Sequence, residues 1–330
     1  MSESPPSQVK QASRVQRVKS ELDAARTVLR PRHLQQSLES LTTDLHATVE
    51  RLSASELRSE ALGSTLTELH QHVTAVTDVV HATNVWTMIE RATQWAAIAP
   101  LGSDLPTISV VMPTHNRADM LRAAVASVLA QSYSRWQLVI IDDNSQDETP
   151  EVIAELQDAD DRITSQRTTG LGPAGARNTG LGAVTGSIVT FLDDDNLMMP
   201  HWLRGIAEFS GRMPGWEGLY GAQLRAPVDP TADATITALF EADFDSARLR
   251  RDNHIDLGVL AVRAGHPELH FVPEFDGLED WDLAVRLSAS APLIALPVLA
   301  SCYSYSAADR VSTVRNDDAA IEAMRAHFAR

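Results

Sequence analysis

The sequence has a single cysteine, Cys302, in 330 residues. That excludes an intramolecular disulfide and any multi-cysteine zinc site. It fits a reducing compartment, so a cytoplasmic protein is expected. Basic residues are scarce relative to acids: 28 Lys plus Arg stand against 44 Asp plus Glu, a formal net charge of -16. A general nucleic-acid binder needs a basic face, and this balance argues against one. No apolar run is long enough to span a bilayer. The start, Met1-Ser2-Glu3-Ser4-Pro5-Pro6, has no signal-peptide pattern. The expectation is a chain with no transmembrane segment, in contact with a membrane only at its periphery. The GxxxxGK[ST] and HExxH patterns are absent as well. What remains is an apolar content of 44%, enough for an ordinary core. The length allows two domains, or one large domain with an appendage.

The composition changes along the chain. Residues 1–8 read as disordered. Residues 9–99 are rich in helix formers. Leu34, Leu38, Leu41, Leu45, Val49 and Leu52 recur at spacings of three or four, and so do Leu62, Leu66, Leu69, Val73, Val76 and Val80. This is the stripe of a helical bundle or a coiled coil. Pro31 breaks the first helix, and Ser53-Ala54-Ser55-Glu56 is a capping box. These helices are candidates for a homodimer or protein-partner contact. Their early basic residues, Lys10 to Arg30, are a candidate membrane-surface face or a plain solvated one.

Pro100, Gly102 and Pro106 mark a linker over 100–106. From 107 to 330 strands alternate with helices. The strands are Ile108–Met112, Leu138–Ile141, a weak one near Ile163, and Ser187–Leu192. The helices are Ala118 to about Gln131, Thr149–Leu156, and Ala174–Ala183. This order implies a Rossmann-like α/β domain with a mostly parallel central sheet and helices on both faces. After Pro200 the pattern weakens. A helix is expected at Trp202–Phe209, a strand at Leu257–Val262, a helix at Asp280–Ser288, strands near Leu293–Leu299 and a C-terminal helix over about 316–330.

The chemistry-bearing residues collect at strand ends. Asp193-Asp194-Asp195-Asn196 follows the strand ending at Leu192. Adjacent carboxylates repel unless a cation or donors neutralise them. Hard divalent cations such as Mg²⁺ or Mn²⁺ are usually held by one or two carboxylates plus substrate phosphates. The triplet therefore reads as a site for a metal and a diphosphate, or else as an acidic loop in solvent. Pro113-Thr114-His115-Asn116-Arg117 and Asp142-Asp143-Asn144-Ser145 end the first two strands. Parallel neighbours deliver both to one edge of the sheet, where ligands bind in such folds. Gly170-Leu171-Gly172-Pro173-Ala174-Gly175 formally matches a dinucleotide fingerprint. It follows a poor strand in the third unit, and it reads more simply as a glycine loop opening a helix that carries Arg177 and Asn178. Glu279-Asp280 opens a late helix, either as a structural cap or as a base for an attacking hydroxyl.

Taken together over about 107–310, these stretches resemble the family 2 glycosyltransferases of the GT-A fold. The resemblance rests on residues 108–117, on Ser127-Val128-Leu129-Ala130-Gln131-Ser132-Tyr133, on 140–145, on Gly175-Ala176-Arg177-Asn178-Thr179-Gly180, on Asp193–Asn196 and on Glu279-Asp280. It implies a nucleotide-binding half over about 107–196 and an acceptor half over about 197–310. Pro113, Thr114 and Asn116 would line the base and ribose pocket, His115 would stack on the base, Arg117 belongs to the same nucleotide-binding loop, and Asp143 would meet the N3–H of uracil or thymine. Arg177 would face the diphosphate, Asp194 would lie near ribose and sugar, and Asp195 would bind Mn²⁺ or Mg²⁺. Asp280 would be the general base, with Glu279 beside it. Asn196 stands where the common form has an acid, and the processive members' QxxRW motif is absent after Asp280.

The activity so implied is metal-dependent and inverting. A sugar moves from a UDP- or dTDP-sugar to a saccharide, lipid-linked, peptide or small-molecule acceptor, without processivity. The alternatives are a sugar nucleotidyltransferase, or a catalytically silent nucleotide-binding or scaffold protein.

Overall fold

In the computed structural model, residues 87–98, 101–102, 104–213, 215–226, 237–240, 243–275, 277–304 and 318–329 are described. The helical stripes, the capping box and the basic face expected over 9–86 lie outside the described residues. A helix, α1 (residues 87–98), precedes the sheet. Ile89 and Ala96 on it are fully buried, and the Thr93 hydroxyl accepts from the Leu299 amide at 3.3 Å.

The alternation read from the sequence appears as β1 (Ile108–Thr114), α2 (Ala118–Leu129), β2 (Trp136–Asp142), α3 (Thr149–Ala159), β3 (Ile163–Arg167), α4 (Gly172–Leu181) and β4 (Ile188–Phe191). The four strands are parallel, in the order β3-β2-β1-β4. Strand side chains alternate between faces. Val111, Val139 and Ile141 pack on the face carrying Ala176 and Gly180 of α4. Residues of opposite parity, Val110, Met112, Leu138 and Ile140, are also fully buried. Both faces are therefore covered, which is why these strands read as continuous apolar runs. Each such side chain contributes about 1.5–3 kcal/mol of burial.

The second half follows as β5 (Leu197–Met198), α5 (Trp202–Arg212), β6 (Gly218–Ala226), β7 (Thr237–Leu239), α6 (Ser246–Leu249), β8 (Leu260–Arg263), α7 (Glu279–Ser290), β9 (Ile294–Ser304) and α8 (Asp318–Phe328). Among the described residues the sheet has nine strands and becomes mixed beyond β4, continuing β8-β6-β9-β5 with β7 paired to β6. β8 runs antiparallel to β4 and β6, whereas β6 and β9 are parallel. The strand expected at Leu257–Val262 is a 3-10 turn over Leu257–Val259 followed by β8. The Asp256 carboxylate accepts from the Gly258 amide at 2.8 Å and holds that turn. Among the described residues no helix is long and apolar enough to cross a membrane.

Gly186 sits where the chain enters β4 and crosses β1. A Cβ there would lie 2.5 Å from the Thr107 carbonyl oxygen and 2.8 Å from the Ser109 nitrogen, both backbone atoms. Backbone cannot yield as a flexible side chain does, so Gly186→Ala should cost about 1–3 kcal/mol. The cost is measurable as a lower urea midpoint at unchanged slope; an unchanged midpoint would mean that the entry to β4 relaxes freely.

Candidate active site

The site is assembled by register. Thr114 pairs with Asp142 across β1 and β2, and the Leu192 amide donates to the Val111 carbonyl at 3.1 Å. The loops after β1, β2 and β4 therefore emerge side by side. They border a cleft of about 1180 Å³ whose lining includes Pro113, Thr114, His115, Asn116, Arg117, Asp143, Arg177, Asp194, Asp195, Glu279 and Asp280. Every residue singled out above as a candidate site residue thus borders one cavity.

The first two loops are stitched together. Asn116 and Asn144 take positive φ, 54° and 68°, a conformation that asparagine tolerates better than most residues. The Asn116 amide donates to Ser145 Oγ at 2.9 Å, and Asn116 Oδ1 accepts from the Gln146 amide at 2.6 Å. His115 Nδ1 lies 2.6 Å from the Asp143 carbonyl oxygen, which can only accept. The proton therefore sits on Nδ1, and Nε2 accepts from the Asn116 side-chain amide at 2.8 Å. His115 is thereby held in place at the mouth of the cleft.

Asp143 is more engaged than the sequence implied. Its carboxylate accepts from the Thr168 hydroxyl, from the Leu171 amide at 2.7 Å and from the Gly172 amide at 2.8 Å. A carboxylate has about four acceptor positions, so about one is left for a base N–H. The glycine loop does open a helix, α4, and the positive φ of Gly170 (92°) and Gly172 (73°) turns two amides onto Asp143. It clamps a side chain of the neighbouring loop.

Arg177 is likewise paired by the protein itself. Its guanidinium is buried, donating to Asp193 Oδ1 at 2.7 Å and to Glu279 Oε1 at 2.5 Å, with the Phe271 ring 5.5 Å away. Burial works to lower its pKa, but the charges of Asp193 and Glu279 more than offset this, and the net shift is upward. Glu279 is 5% exposed, and its Oε2, like Arg177 Nε, has no hydrogen-bond partner among the described residues. Arg177 thus ties α4 to the loop after β4 and to the start of α7.

The other acids of the triplet meet a second arginine. Arg117 Nη1 donates to Asp194 Oδ1 at 2.8 Å and to Asp195 Oδ2 at 3.0 Å. Asp194 also accepts from the Thr114 hydroxyl at 2.7 Å. Burial pushes Asp194 up to about 6, against the pull of Arg117 and Thr114. Among the described residues no three His, Cys, Asp or Glu side chains converge to hold a metal unaided. The donors nevertheless suit a divalent cation held by one or two carboxylates and by substrate phosphates, because oxygens of Asp194 and Asp195 already converge on a cationic group.

Asp280 differs from the other acids. It is partly buried at the first turn of α7, and its Oδ1 accepts from the Trp281 amide at 2.7 Å. Asn253 Nδ2 is 3.4 Å from each of its oxygens. Burial raises it most, then the charges of Glu279 and Asp256; Arg177 pulls the other way, and the result is about 7. A carboxylate near neutrality is the form expected of a general base. Asp256 is raised too, by burial and then by Asp193. Asp256 borders the cleft as well. Arg225, Arg251, Tyr303 and Arg325, which no sequence motif marks, also border it. They come from β6, β9, α8 and the turn after α6, where period and motif signals are weak.

With this geometry in view, residues 109–214 match the family model of glycosyl transferase family 2. That match covers about a third of the chain. Over 102 residues it is 43% identical to an uncharacterized glycosyltransferase, alr2836, of Nostoc sp., covering 31% of this chain and 32% of that protein. Over 97 residues it is 39% identical to the GalNAc(5)-diNAcBac-PP-undecaprenol beta-1,3-glucosyltransferase of Campylobacter jejuni, covering 29% and 31%. The chain therefore spans about a third of the length of these curated relatives. The crystal structure of S. aureus TarS 1-349 in complex with UDP superposes with a TM-score of 0.50 at 17% identity, over 68% of this chain and 70% of that one. This likeness shows the fold, and it is the GT-A fold that the resemblance implied.

The raised Asp280 gives a stability prediction. Its folded pKa of about 7 lies above the ordinary aspartate value of 3.8. The unfolded chain binds fewer protons between those values, so this group costs the fold stability as pH rises from about 4 to about 7. Asp280→Asn removes that cost. Its melting temperature should exceed the parent's at pH 8, with the difference fading to nothing near pH 4. An equal difference at both pH values would mean that Asp280 is not raised.

Proposed function

We propose that the family 2 domain is a metal-dependent, inverting glycosyltransferase that moves one sugar from a UDP- or dTDP-sugar to an acceptor hydroxyl, without processivity. The observation that carries this reading is the convergence, in one cleft, of a carboxylate raised toward neutrality, Asp280, with the loops after β1, β2 and β4. The family match over 109–214 supports a nucleotide-sugar donor for that half of the cleft. Residues 113–117, with the remaining acceptor position of Asp143, form the base and ribose pocket.

Asp195, with Asp194 near it, would hold Mg²⁺ or Mn²⁺ against the donor diphosphate. The ion would supply charge neutralisation for the departing nucleoside diphosphate. Arg117 must leave Asp195 for that, and its guanidinium suits the same phosphate oxygens. In this reading Arg177 positions the acids around the cleft and does not itself grip the diphosphate, because it is buried and both of its Nη groups donate to Asp193 and Glu279. Glu279 anchors the start of α7 and raises Asp280 by its charge. Asp280 takes the proton from the acceptor hydroxyl as that oxygen attacks the anomeric carbon from the face opposite the diphosphate. A single displacement of this kind inverts the configuration.

Calorimetric titration with UDP, dTDP and GDP, with and without Mn²⁺, tests the donor side. Manganese-dependent binding of one diphosphate is expected; no binding by folded protein would remove the reading. Asp280→Asn should lower turnover by about 10²–10⁴ while leaving that titration unchanged; undiminished turnover would exclude Asp280 as the base. Asp195→Ala should abolish the manganese dependence of diphosphate binding, and a retained dependence would place the ion elsewhere. Release of pyrophosphate from a nucleoside triphosphate and a sugar phosphate would point instead to nucleotidyl transfer.

A further inference from the structure

Arginines from the second half of a strongly acidic chain border the cleft beside its acids. Arg225 on β6, Arg251 in the turn after α6, and Arg325 on α8 border the same cavity as Asp280. Contacts at the far end of α8 fix two of them together. Arg325 Nε donates to the Arg251 carbonyl at 2.8 Å, and Arg250 Nη1 donates to the Phe328 carbonyl at 3.1 Å. Met324 and Phe328 bury the other side of α8, with Phe328 edge-on to Trp281 at 5.3 Å. The helix is thus placed so that Arg325 meets the turn carrying Arg251.

Acids near these arginines include Asp256, which feels the charge of Arg225, and Asp245, which feels that of Arg251. Asp252, next in the chain, lies 3.8 Å from Arg248. The Arg251 guanidinium makes no hydrogen bond or ion pair among the described residues. Arg325 keeps one exposed partner, Glu322, at 2.6 Å, and exposed pairs of that kind are weak and exchangeable. Arg225 donates Nε to Gln223 Oε1 at 3.2 Å and lies 5.5 Å from the centre of the Tyr303 ring. A single carboxylate would be matched by one such residue. Guanidinium groups that separate elements bring to one cavity match a group with two or more negative charges and several acceptor oxygens.

We propose that Arg225, Arg251 and Arg325 form a subsite for a phosphoryl group on the acceptor, so that the acceptor is a phosphate ester or diphosphate and not a neutral saccharide. This rests on the glycosyltransferase reading, and it goes beyond the family match, which ends at residue 214 before any of these arginines. The phosphate could be carried by a soluble sugar phosphate or by a polyprenyl lipid.

The test uses the full chain, saturated with Mn²⁺ and whichever of UDP, dTDP or GDP binds, or with Mn²⁺ alone if none does. Glucose 1-phosphate is titrated in, with methyl glucoside as the neutral control. In a second arm the protein is floated with phosphatidylcholine vesicles, with or without polyprenyl phosphate. Binding of the phosphate but not of the control is expected in at least one arm. The arm that responds names the source. Arg251→Gln and Arg225→Gln should each weaken it by about tenfold or more without changing nucleotide affinity; Arg251→Gln breaks no side-chain bond in the fold. Nucleotide binding without phosphate binding in either arm would overturn this subsite and leave the donor reading standing. Arginine-dependent phosphate binding without any nucleotide binding would support the subsite and remove the donor reading. Phosphate binding indifferent to both substitutions, or nucleotide affinity falling with them, would also overturn the subsite, the latter by assigning the arginines to the donor.

Discussion

Carboxylates gathered at one edge of a sheet repel one another, and the architecture of the cleft follows from how that repulsion is relieved. Two arginines do most of the work. Arg177 bridges Asp193 and Glu279, which are 86 residues apart in sequence, counted as 279 minus 193. Arg117 bridges Asp194 and Asp195. Arg117 reaches its acids from the loop after β1 and Arg177 from α4, so the pairs join the glycine-loop helix, the β1 loop, the β4 loop and α7 around one space. Breaking a buried pair of this kind leaves an uncompensated charge, which typically costs about 3–5 kcal/mol. The site is therefore built into the stability of the fold.

The compensation is uneven, and function follows from the unevenness. Arg117 holds Asp194 and Asp195, Arg177 holds Asp193 and Glu279, and neither makes an ion pair with Asp280. Burial and the charges of Glu279 and Asp256 then raise Asp280 toward neutrality. In the proposed reading Asp193, Asp194 and Asp195 lie on the donor side, and Arg225, Arg251 and Arg325 on the acceptor side. A nucleotide diphosphate with its cation and an anionic acceptor can occupy opposite sides without meeting like charge. Such separation of charge is one way a cleft orients two anionic substrates toward a shared reacting centre.

Much of this was legible in the residues. Ile108–Met112 and Leu138–Ile141 announced buried parallel strands because both of their faces are covered. Asp193–Asp195 announced a site because adjacent acids need compensation. The less legible parts lie after Pro200. β6 carries Gly218, Gly221, Gln223 and Arg225, a mixture with no clean period, and it is recognisable as a strand only through its neighbours β8 and β9. The turn at Leu257–Val259 looked like strand because its apolar residues are buried, as strand residues would be. Asp143 and Arg177 looked like ligand-binding groups, and what the sequence could not display was that Thr168, Leu171 and Gly172 take most acceptor positions of Asp143 and that both Nη groups of Arg177 already donate to Asp193 and Glu279.

By itself the sequence determined the α/β alternation, the strand ends where the chemistry collects and the kinds of group brought there. Hydrophobic periodicity and local turn chemistry are short-range, and they are written in consecutive residues. Only the tertiary structure decided which acid pairs with which arginine, which carboxylate escapes pairing, and that β6, α6 and α8 bring Arg225, Arg251 and Arg325 to one wall. Those outcomes depend on distances between groups far apart in the chain. Coulombic and desolvation energies change steeply over a few ångströms, a scale that residue order does not record.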